Sequence, residues 1–259
     1  MAVVEWLADR PDGASISDIS KDLEIEISIV SRLIATLELD GYVRRLPQAQ
    51  ERYTMGFRLA GAVYRHMSHV GIPDVCIPVL DSLSRKVGEL VQLAFVDEDC
   101  VRFIAKSTTD QRISLSGLVG RVARPDTMAT GKAWLASLPE AERVRVLSRD
   151  HGDVPARGTP TLTNLFRELE NVSRDGFAVE IEGNMEDVAA IASPVWLGDP
   201  LRVVAVITIS GPSYRLNRVK LESFAPSLLD AAQQIAELWP AAALARQLGW
   251  MPPRLDVAS

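Results

Sequence analysis

Short apolar stretches at helical spacing alternate with polar turns from the N-terminus to Gly41. Apolar side chains that recur every three or four positions predict amphipathic helices. The second stretch starts at Ser15, and Asp18 follows at close to the spacing of a capping box. The third runs from about residue 27 to 40, and Gly41 suits the position after a helix. Two short helices joined by a polar turn predict a helix-turn-helix. The apolar positions of the third helix are Val30, Leu33, Ile34 and Leu37.

A basic hairpin is predicted directly after the third helix. Residues 42–46 and 52–54 favour strands, and they flank a polar tip at residues 47–50. Such a hairpin is the wing of a winged helix-turn-helix, in which the third helix enters a DNA groove. The pattern predicts four segments: a winged helix-turn-helix over residues 1–56, a linker helix over 57–71, a second domain over 72–245 and a tail over 246–259.

The second domain mixes strand and helix patterns. Its glycine-punctuated stretch 112–126 is predicted to be irregular. Runs of helices beside a central, mostly antiparallel sheet indicate an α+β fold. The predicted strands are 90–96, 101–105, 177–182, 188–195 and 201–210, and the predicted helices are 74–87, 131–136, 140–148, 163–175 and 218–239.

Composition excludes several protein classes. The 259 residues suit two domains, and 47% hydrophobic residues can build an ordinary core. No apolar run approaches the roughly 18 residues of a membrane span. The N-terminus carries acidic residues and a proline where a signal peptide has a basic start. Two cysteines without a CxxC pair indicate a reducing compartment. We therefore expect a cytoplasmic protein without membrane contact.

The net charge of −6 is unusual for a DNA-binding protein, but the charge is unevenly distributed. Residues 1–31 hold two basic and seven acidic side chains, whereas residues 32–58 hold five arginines and three acidic side chains. Phosphate contacts depend on the face presented and not on the whole-chain sum. The gradient favours the third helix and the wing as the DNA side.

Candidate DNA contacts lie on the third helix and the wing. The first residues of a recognition helix meet base edges, and wing arginines hold phosphates or reach a minor groove. The alternatives are a winged helix used only for protein contact and a solvated helical hairpin. The candidates are Ser28, Ile29, Ser31 and Arg32 on the helix, and Arg44, Arg45 and Arg52 on the wing.

Nearly the whole chain resembles the IclR family of transcriptional regulators. The carrying segments are ISDISKDLEIEISIVSRLIATLELDGYVRR, RYTMGFRLA, PDTMATGKAWLASLP, TLTNLFRELENVSRDGFAVEIEGNMEDVAAIASPV and VAVITISGPSYRLN. The resemblance implies a winged helix-turn-helix joined by a helix to a GAF-like effector-binding domain. It also implies homodimers that pair into homotetramers on an operator, and repressors or activators that sense organic or aromatic acids.

The recognition helix departs from the family pattern at its start. Ile27 and Ile29 stand where the family often has lysine and threonine, and Glu26 stands where proline is frequent. An apolar helix start bordered by an acid weakens phosphate contact, although Ile29 suits a thymine methyl group. We expect these changes to alter operator preference.

The resemblance also assigns effector contacts in the second domain. The loop before residue 133 feeds a helix N-terminus, whose backbone N–H groups suit a carboxylate. Ala190 stands where some relatives carry cysteine, and Glu180 where aspartate is common. The pocket favours an organic acid with an apolar or aromatic body over a very small keto acid. The assigned contacts are Ala129, Thr130, Glu180, Ala190, Thr208 and Ser210, with Leu115 and Ala123 as apolar wall residues; the alternative for Thr208 and Ser210 is an ordinary strand role.

The sequence shows no catalytic or metal-binding constellation. His66 and His69 lie three residues apart, but no cluster of acids or cysteines completes a metal site. No serine lies in a GxSxG motif, and Glu180 and Glu182 on one strand lack a substrate groove. We therefore expect no cofactor, no metal and no enzyme activity. The alternatives are a metabolic enzyme with a vestigial winged helix and a regulator that has lost its ligand and acts by protein contact.

Overall fold

Two units divide the chain, one over residues 1–70 and one over residues 71–259. The computed structural model describes residues 2–47, 49–70, 72–97, 99–109, 118–149, 158–198 and 201–239. The predicted tail at 246–259 lies outside these residues. The first unit contains α1 (Ala2–Ala8), β1 (Ala14–Ser15), α2 (Ile16–Asp22), α3 (Ile27–Leu39), β2 (Val43–Leu46), β3 (Ala49–Met55) and α4 (Phe57–Val70).

The second unit is an antiparallel sheet with helices packed against it. Within the described residues the strand order is β5-β4-β8-β7-β6, and every pairing is antiparallel. The predicted α+β fold is confirmed. The elements are α5 (Ile72–Val87), β4 (Leu90–Asp97), β5 (Cys100–Ser107), α6 (Ala129–Leu135), α7 (Glu140–Leu147), α8 (Leu162–Asp175), β6 (Ala178–Ile181), β7 (Val188–Leu197), β8 (Arg202–Pro212), α9 (Arg218–Ser223) and α10 (Ala225–Leu238).

The predicted capping box forms at the start of α2. The Asp18 backbone N–H donates to Ser15 Oγ at 3.1 Å, and the Ser15 N–H donates to Asp18 Oδ2 at 3.0 Å. These two hydrogen bonds hold the pKa of Asp18 below its ordinary value. Helices α2 and α3 then bury Ile19, Val30 and Ile34 in one core. This arrangement orients α3 so that its opposite face reaches the surface.

The buried stripe of α3 is narrower than predicted. Leu33 was expected on the apolar face but is 42% exposed. Val30 and Ile34, one turn apart, fill the core contact, and Leu37 is half-buried. Leu33 lies to one side of this line and therefore belongs to the exposed face.

The turn between α2 and α3 holds a residue in the left-handed region. Glu24 has a φ of 54°, which places its Cβ close to the following carbonyl oxygen. Replacing Glu24 with glycine should remove this strain and raise the free energy of unfolding of the first unit by about 0.5 to 1 kcal/mol. The strain energy removed from the folded state is larger than the conformational entropy that glycine adds to the unfolded chain. Urea denaturation measures the change. Glu24→Ala keeps the Cβ and is the control; an equal gain in both variants would contradict the strain explanation.

The wing differs from the prediction in its second strand. The predicted strand 52–54 extends to Ala49–Met55, because Leu46 pairs with Ala49 after a register shift that follows Arg45. The predicted tip at 47–50 is therefore only two positions long, and one of them, Gln48, lies outside the described residues. Strand β1 also pairs with β3, a contact that was not predicted. A two-residue strand is too short to leave a sequence pattern.

The end of α3 and the start of α4 meet closely. A Cβ on Gly56 would lie 2.1 Å from the Gly41 carbonyl oxygen, so only glycine fits there. The Arg58 guanidinium donates to the Asp40 carbonyl oxygen at 2.7 Å across the same junction. These contacts fix the start of α4 against the end of α3 within the first unit.

The single predicted helix over residues 218–239 is wrong. Helix α9 ends at Ser223, and α10 begins at Ala225, with Phe224 between them. Pro226 lies in the first turn of α10. Proline has no N–H to donate and clashes in a helix interior, but it fits a first turn. The sequence therefore favours a new helix at this point.

Two layers of helices enclose the sheet. Helix α6 and helix α8 contribute to one apolar cluster with alternate residues of the strands. Helices α5 and α10 pack against each other and against the sheet. Cys76 on α5 is fully buried, which raises the pKa of its thiol to about 11. No described helix is both long enough and apolar enough to cross a bilayer.

Candidate functional site

The predicted recognition residues lie together on the exposed face of α3. Ser28, Ile29, Ser31 and Arg32 are all exposed, in the first two turns of the helix. The neighbouring Ile27 is also exposed. The surface therefore presents a mixture of hydroxyl, aliphatic and guanidinium groups, which can contact base edges and the thymine methyl group.

An acidic side chain borders this surface. Glu26 occupies the N-cap of α3 and makes no capping hydrogen bond with its side chain. Its Oε1 instead accepts from Ser28 Oγ at 2.6 Å. The hydroxyl of Ser28 is therefore engaged within the protein, and a negative charge lies where phosphates would approach.

The three predicted wing arginines have different surroundings. Arg44 is exposed, with its guanidinium 5.4 Å from the centre of the Phe57 ring. Arg45 donates to Glu38 Oε1 at 3.0 Å, and this hydrogen bond raises the pKa of the guanidinium. Arg52 donates to the carbonyl oxygens of Asp12 and Gly13 at 3.2 and 2.6 Å. Arg52 thus ties the loop after α1 to the wing, so Arg44 is better placed than Arg52 for phosphate contact.

In the second unit, a polar row crosses one face of the sheet. Thr208 pairs with Gln92 on β4 and with Ala192 on β7, and Ser210 pairs with Ala190. Residues two apart on a strand face the same side, so these side chains share one surface. The Thr130 and Thr208 hydroxyls lie 2.8 Å apart and are hydrogen-bonded. This hydrogen bond joins α6 to the row.

Helix α6 packs closely against the preceding turn at Gly131, which has no side chain to keep the two backbones apart. A Cβ on Gly131 would lie 2.1 Å from the Arg124 carbonyl oxygen and 2.5 Å from Pro125 Cα. Ala129 and Thr130 are buried beside it, and Met128 occupies the N-cap without a side-chain capping hydrogen bond, although its Sδ accepts from the Arg124 N–H at 3.4 Å. Because glycine permits this approach, the first turn of α6 lies directly over the sheet.

A buried lysine that the sequence interpretation missed holds Glu180. Lys132 on α6 is only 4% exposed, and its ammonium donates to Glu180 Oε2 and, at 2.7 Å, to Glu168 Oε2. Burial alone lowers the pKa of Lys132, but the two carboxylates outweigh burial, so the pKa lies above its ordinary value. The lysine is charged at neutral pH, and the stability that its charge contributes is lost as the pH rises through that raised pKa.

The polar row, the first turn of α6 and Glu180 line a partly open cavity of about 40 Å³ between α6 and the sheet. Phe103, Leu118, Met128 and Met185 contribute apolar wall, and Thr127 donates to Asn184 at 3.3 Å at one side. The lining includes six of the residues that the resemblance assigned: Ala129, Thr130, Glu180, Ala190, Thr208 and Ser210.

The other two assigned residues are placed differently. Ala123 is buried in the apolar cluster with Phe103 and is not part of the described cavity lining. Leu115 lies outside the described residues. Glu182 is not on a strand with Glu180 as predicted, because β6 ends at Ile181 and Glu182 has a φ of 54°. The two carboxylates therefore do not form a pair on one strand face.

The cavity also contains a polar residue that sequence reasoning did not select. Gln92 is 2% exposed and lines the cavity from β4. Its one sequence signal is a polar amide within the apolar run LVQLAFV. Among the described residues no group of histidine, cysteine and acidic side chains could hold a metal ion. The side chains of His66, His69 and His151 lie outside the described part.

The chain combines a winged helix-turn-helix in its first unit with a pocket against the sheet of its second unit, the combination typical of ligand-binding transcriptional regulators. Residues 1–47 match the IclR helix-turn-helix domain, and residues 64–237 match the bacterial transcriptional regulator IclR C-terminal domain. The chain therefore belongs to the IclR family, and the predicted fold of a winged helix-turn-helix with a C-terminal effector domain is confirmed.

Named relatives are DNA-binding regulators. The transcriptional regulator XynR of Escherichia coli K12 is 26% identical, with 96% of this chain and 95% of XynR covered. The transcriptional repressor AllR of the same strain is 27% identical, with 91% and 87% covered. Membership of this family assigns transcription regulation and DNA binding to the chain.

Solved structures share the fold. Thermotoga maritima IclR is 24% identical, with a TM-score of 0.69 and 96% of each chain covered. An IclR homologue from Microbacterium hydrocarbonoxydans, solved with 4-hydroxybenzoate, is 23% identical, with a TM-score of 0.73 and 93% and 99% covered.

Proposed function

We propose that this chain binds operator DNA through α3 and the wing, and that a small organic or aromatic acid in the cavity modulates that binding. It would act in the cytoplasm as a homodimer or homotetramer, with residues 57–71 as the linker between the DNA-binding and effector domains. The observation that carries the proposal is a partly open cavity lined by hydroxyl and amide side chains, in a chain whose first unit exposes Arg32 and Arg44.

The lining of the cavity supports an acid with an apolar body. The carboxylate of such a ligand can accept a hydrogen bond from whichever of the Thr130 and Thr208 hydroxyls does not donate to the other, and its body can contact the apolar wall. The 4-hydroxybenzoate found in the Microbacterium homologue has this chemistry. A cavity of about 40 Å³ holds roughly three water molecules. A benzoate ring is larger than this volume, so it would extend toward the open side of the cavity or displace an apolar side chain of the wall.

The direct test is a titration of labelled DNA from the upstream region of the gene itself. The full chain is titrated at two salt concentrations with unlabelled random DNA as competitor, alone and with pyruvate, benzoate or 4-hydroxybenzoate. We expect specific, salt-sensitive binding that at least one acid changes, in either direction. Absence of specific binding would contradict the DNA-binding proposal, and binding that no acid changes would contradict the effector proposal.

Linkage adds a quantitative requirement. If an acid changes operator affinity by a given factor, the operator must change acid affinity by the same factor. Calorimetric titration of the acid, with and without operator DNA, measures the second factor. Recovery of the acid unchanged after prolonged incubation distinguishes a sensor from an enzyme.

A further inference from the structure

Gln92 has a buried amide group whose hydrogen-bonding capacity is only partly used. Ser210 Oγ donates to Gln92 Oε1 at 3.3 Å. Gln92 Nε2 is the buried side-chain nitrogen or oxygen without a hydrogen-bond partner among the described residues. An amide NH₂ group carries two hydrogens, and burial without an acceptor is costly. Native proteins contain few such groups, so this one requires an explanation.

The position of Gln92 supplies the explanation. Its side chain lines the cavity, and so does that of its strand partner Thr208; both belong to the polar row, which forms the floor of the cavity. Thr208 shares a hydrogen bond with Thr130, in which one hydroxyl donates and the other keeps its own hydrogen. The floor thus offers amide and hydroxyl donors side by side. An acceptor with two oxygens, such as a carboxylate, matches this arrangement.

The charges around the cavity determine whether the carboxylate of a bound acid lies near Gln92 or near Glu180. The described lining residues include no lysine or arginine, and their one charged side chain is Glu180. Gln92 lies on β4 and Glu180 on β6, and these strands are three positions apart in the sheet order. At the usual spacing between neighbouring strands, the distance between β4 and β6 is roughly 14 Å. A carboxylate is repelled by Glu180, even though Lys132 partly neutralises that charge. Neutral donors at the Gln92 end therefore offer the more favourable position.

We propose that Gln92 is a specificity-determining residue of the effector pocket, and that its carboxamide donates a hydrogen bond to the carboxylate of the effector. This inference rests on the proposed function of the same pocket. It predicts that the free protein retains an unpaired amide because the ligand completes its hydrogen bonding.

The test compares Gln92→Met with the wild type in the full chain. Methionine keeps the length of the side chain and removes the amide. Calorimetry with benzoate and 4-hydroxybenzoate should show at least a tenfold loss of affinity, whereas thermal unfolding of the ligand-free protein should change little, because removal of the unpaired amide nitrogen offsets the loss of the long hydrogen bond from Ser210. A purely structural glutamine would instead lower the unfolding temperature. Gln233→Met, on the exposed face of α10, is the matched control.

A second variant separates hydrogen bonding from shape. Gln92→Leu removes the donors with a different side-chain shape and adds no charge, so acid affinity should again fall at least tenfold, while 4-hydroxybenzyl alcohol, which has no carboxylate, should bind within threefold of its wild-type affinity. Acid affinity within threefold of wild type in both variants would overturn the role of Gln92 and leave the effector pocket standing. A wild-type chain that binds none of the tested acids would overturn the pocket proposal together with this inference.

Discussion

Replacing Lys132 with methionine is expected to lower the unfolding temperature of the second unit by roughly 6 to 12 °C. The substitution removes the cation that Glu180 and Glu168 share. Loss of one partner from a buried ion pair costs about 3 kcal/mol or more, because the remaining charge is left without compensation. Glu168 is half exposed and can be solvated, so most of the loss arises at Glu180. Differential scanning calorimetry measures the shift.

A double-mutant cycle isolates the contribution of the pair. Lys132→Met combined with Glu180→Gln should recover most of the lost stability, since no uncompensated charge remains. Lys86→Met, at an exposed position of α5, is the control. An unfolding temperature of Lys132→Met equal to that of this control would show that the ion pair adds nothing.

Replacing Arg32 and Arg44 together with alanine is expected to weaken operator binding by roughly 30-fold or more, since each guanidinium contact is worth about 1 kcal/mol or more. The dependence of binding on salt should also flatten, with a slope lower by roughly 1 to 2, because fewer counterions are released. Electrophoretic or fluorescence titration at several salt concentrations measures both quantities. The unfolding temperature should remain that of the wild type, since both side chains are exposed.

Two other arginines define the controls for this experiment. Arg167→Ala removes an exposed arginine from α8 in the second unit and should leave DNA affinity unchanged. Arg52→Ala removes the hydrogen bonds to Asp12 and Gly13, so a loss of binding in that variant would be confounded by a loss of stability. A double variant of Arg32 and Arg44 with an unaltered salt slope would show that DNA contacts a different surface.

The features that were predicted correctly are those that depend on neighbouring residues. The capping box at Ser15 and the glycine after α3 involve side chains and backbone within one helical turn, so the local sequence determines them. The break at Phe224 was missed although Pro226 was visible, because the apolar spacing continues across it. Strand β1 and the left-handed Glu24 depend on packing and leave no periodic pattern.

The residues of the candidate site divide in the same way, into those that the sequence indicated and those that only the fold brings together. The hydroxyls of Thr130, Thr208 and Ser210 were selected by family resemblance, and the fold brings them to one cavity. Lys132 and Glu180 are 48 residues apart, and Ser210 and Gln92 are 118 apart. Composition and periodicity carry no information about which distant positions meet. Both the buried ion pair and the unpaired amide therefore became visible only in three dimensions.

The floor of the cavity consists of side chains on strands whose backbone groups pair within the sheet. Positions 92, 190, 208 and 210 can therefore change their chemistry while the ladder beneath them keeps its geometry. Substitutions at these positions can therefore change the ligand preference during evolution without changing the backbone fold. If the proposed pocket binds the effector, a library over these four codons would vary the recognised molecule and leave the sequence of the DNA-binding unit unaltered, which suits the chain to engineered biosensors.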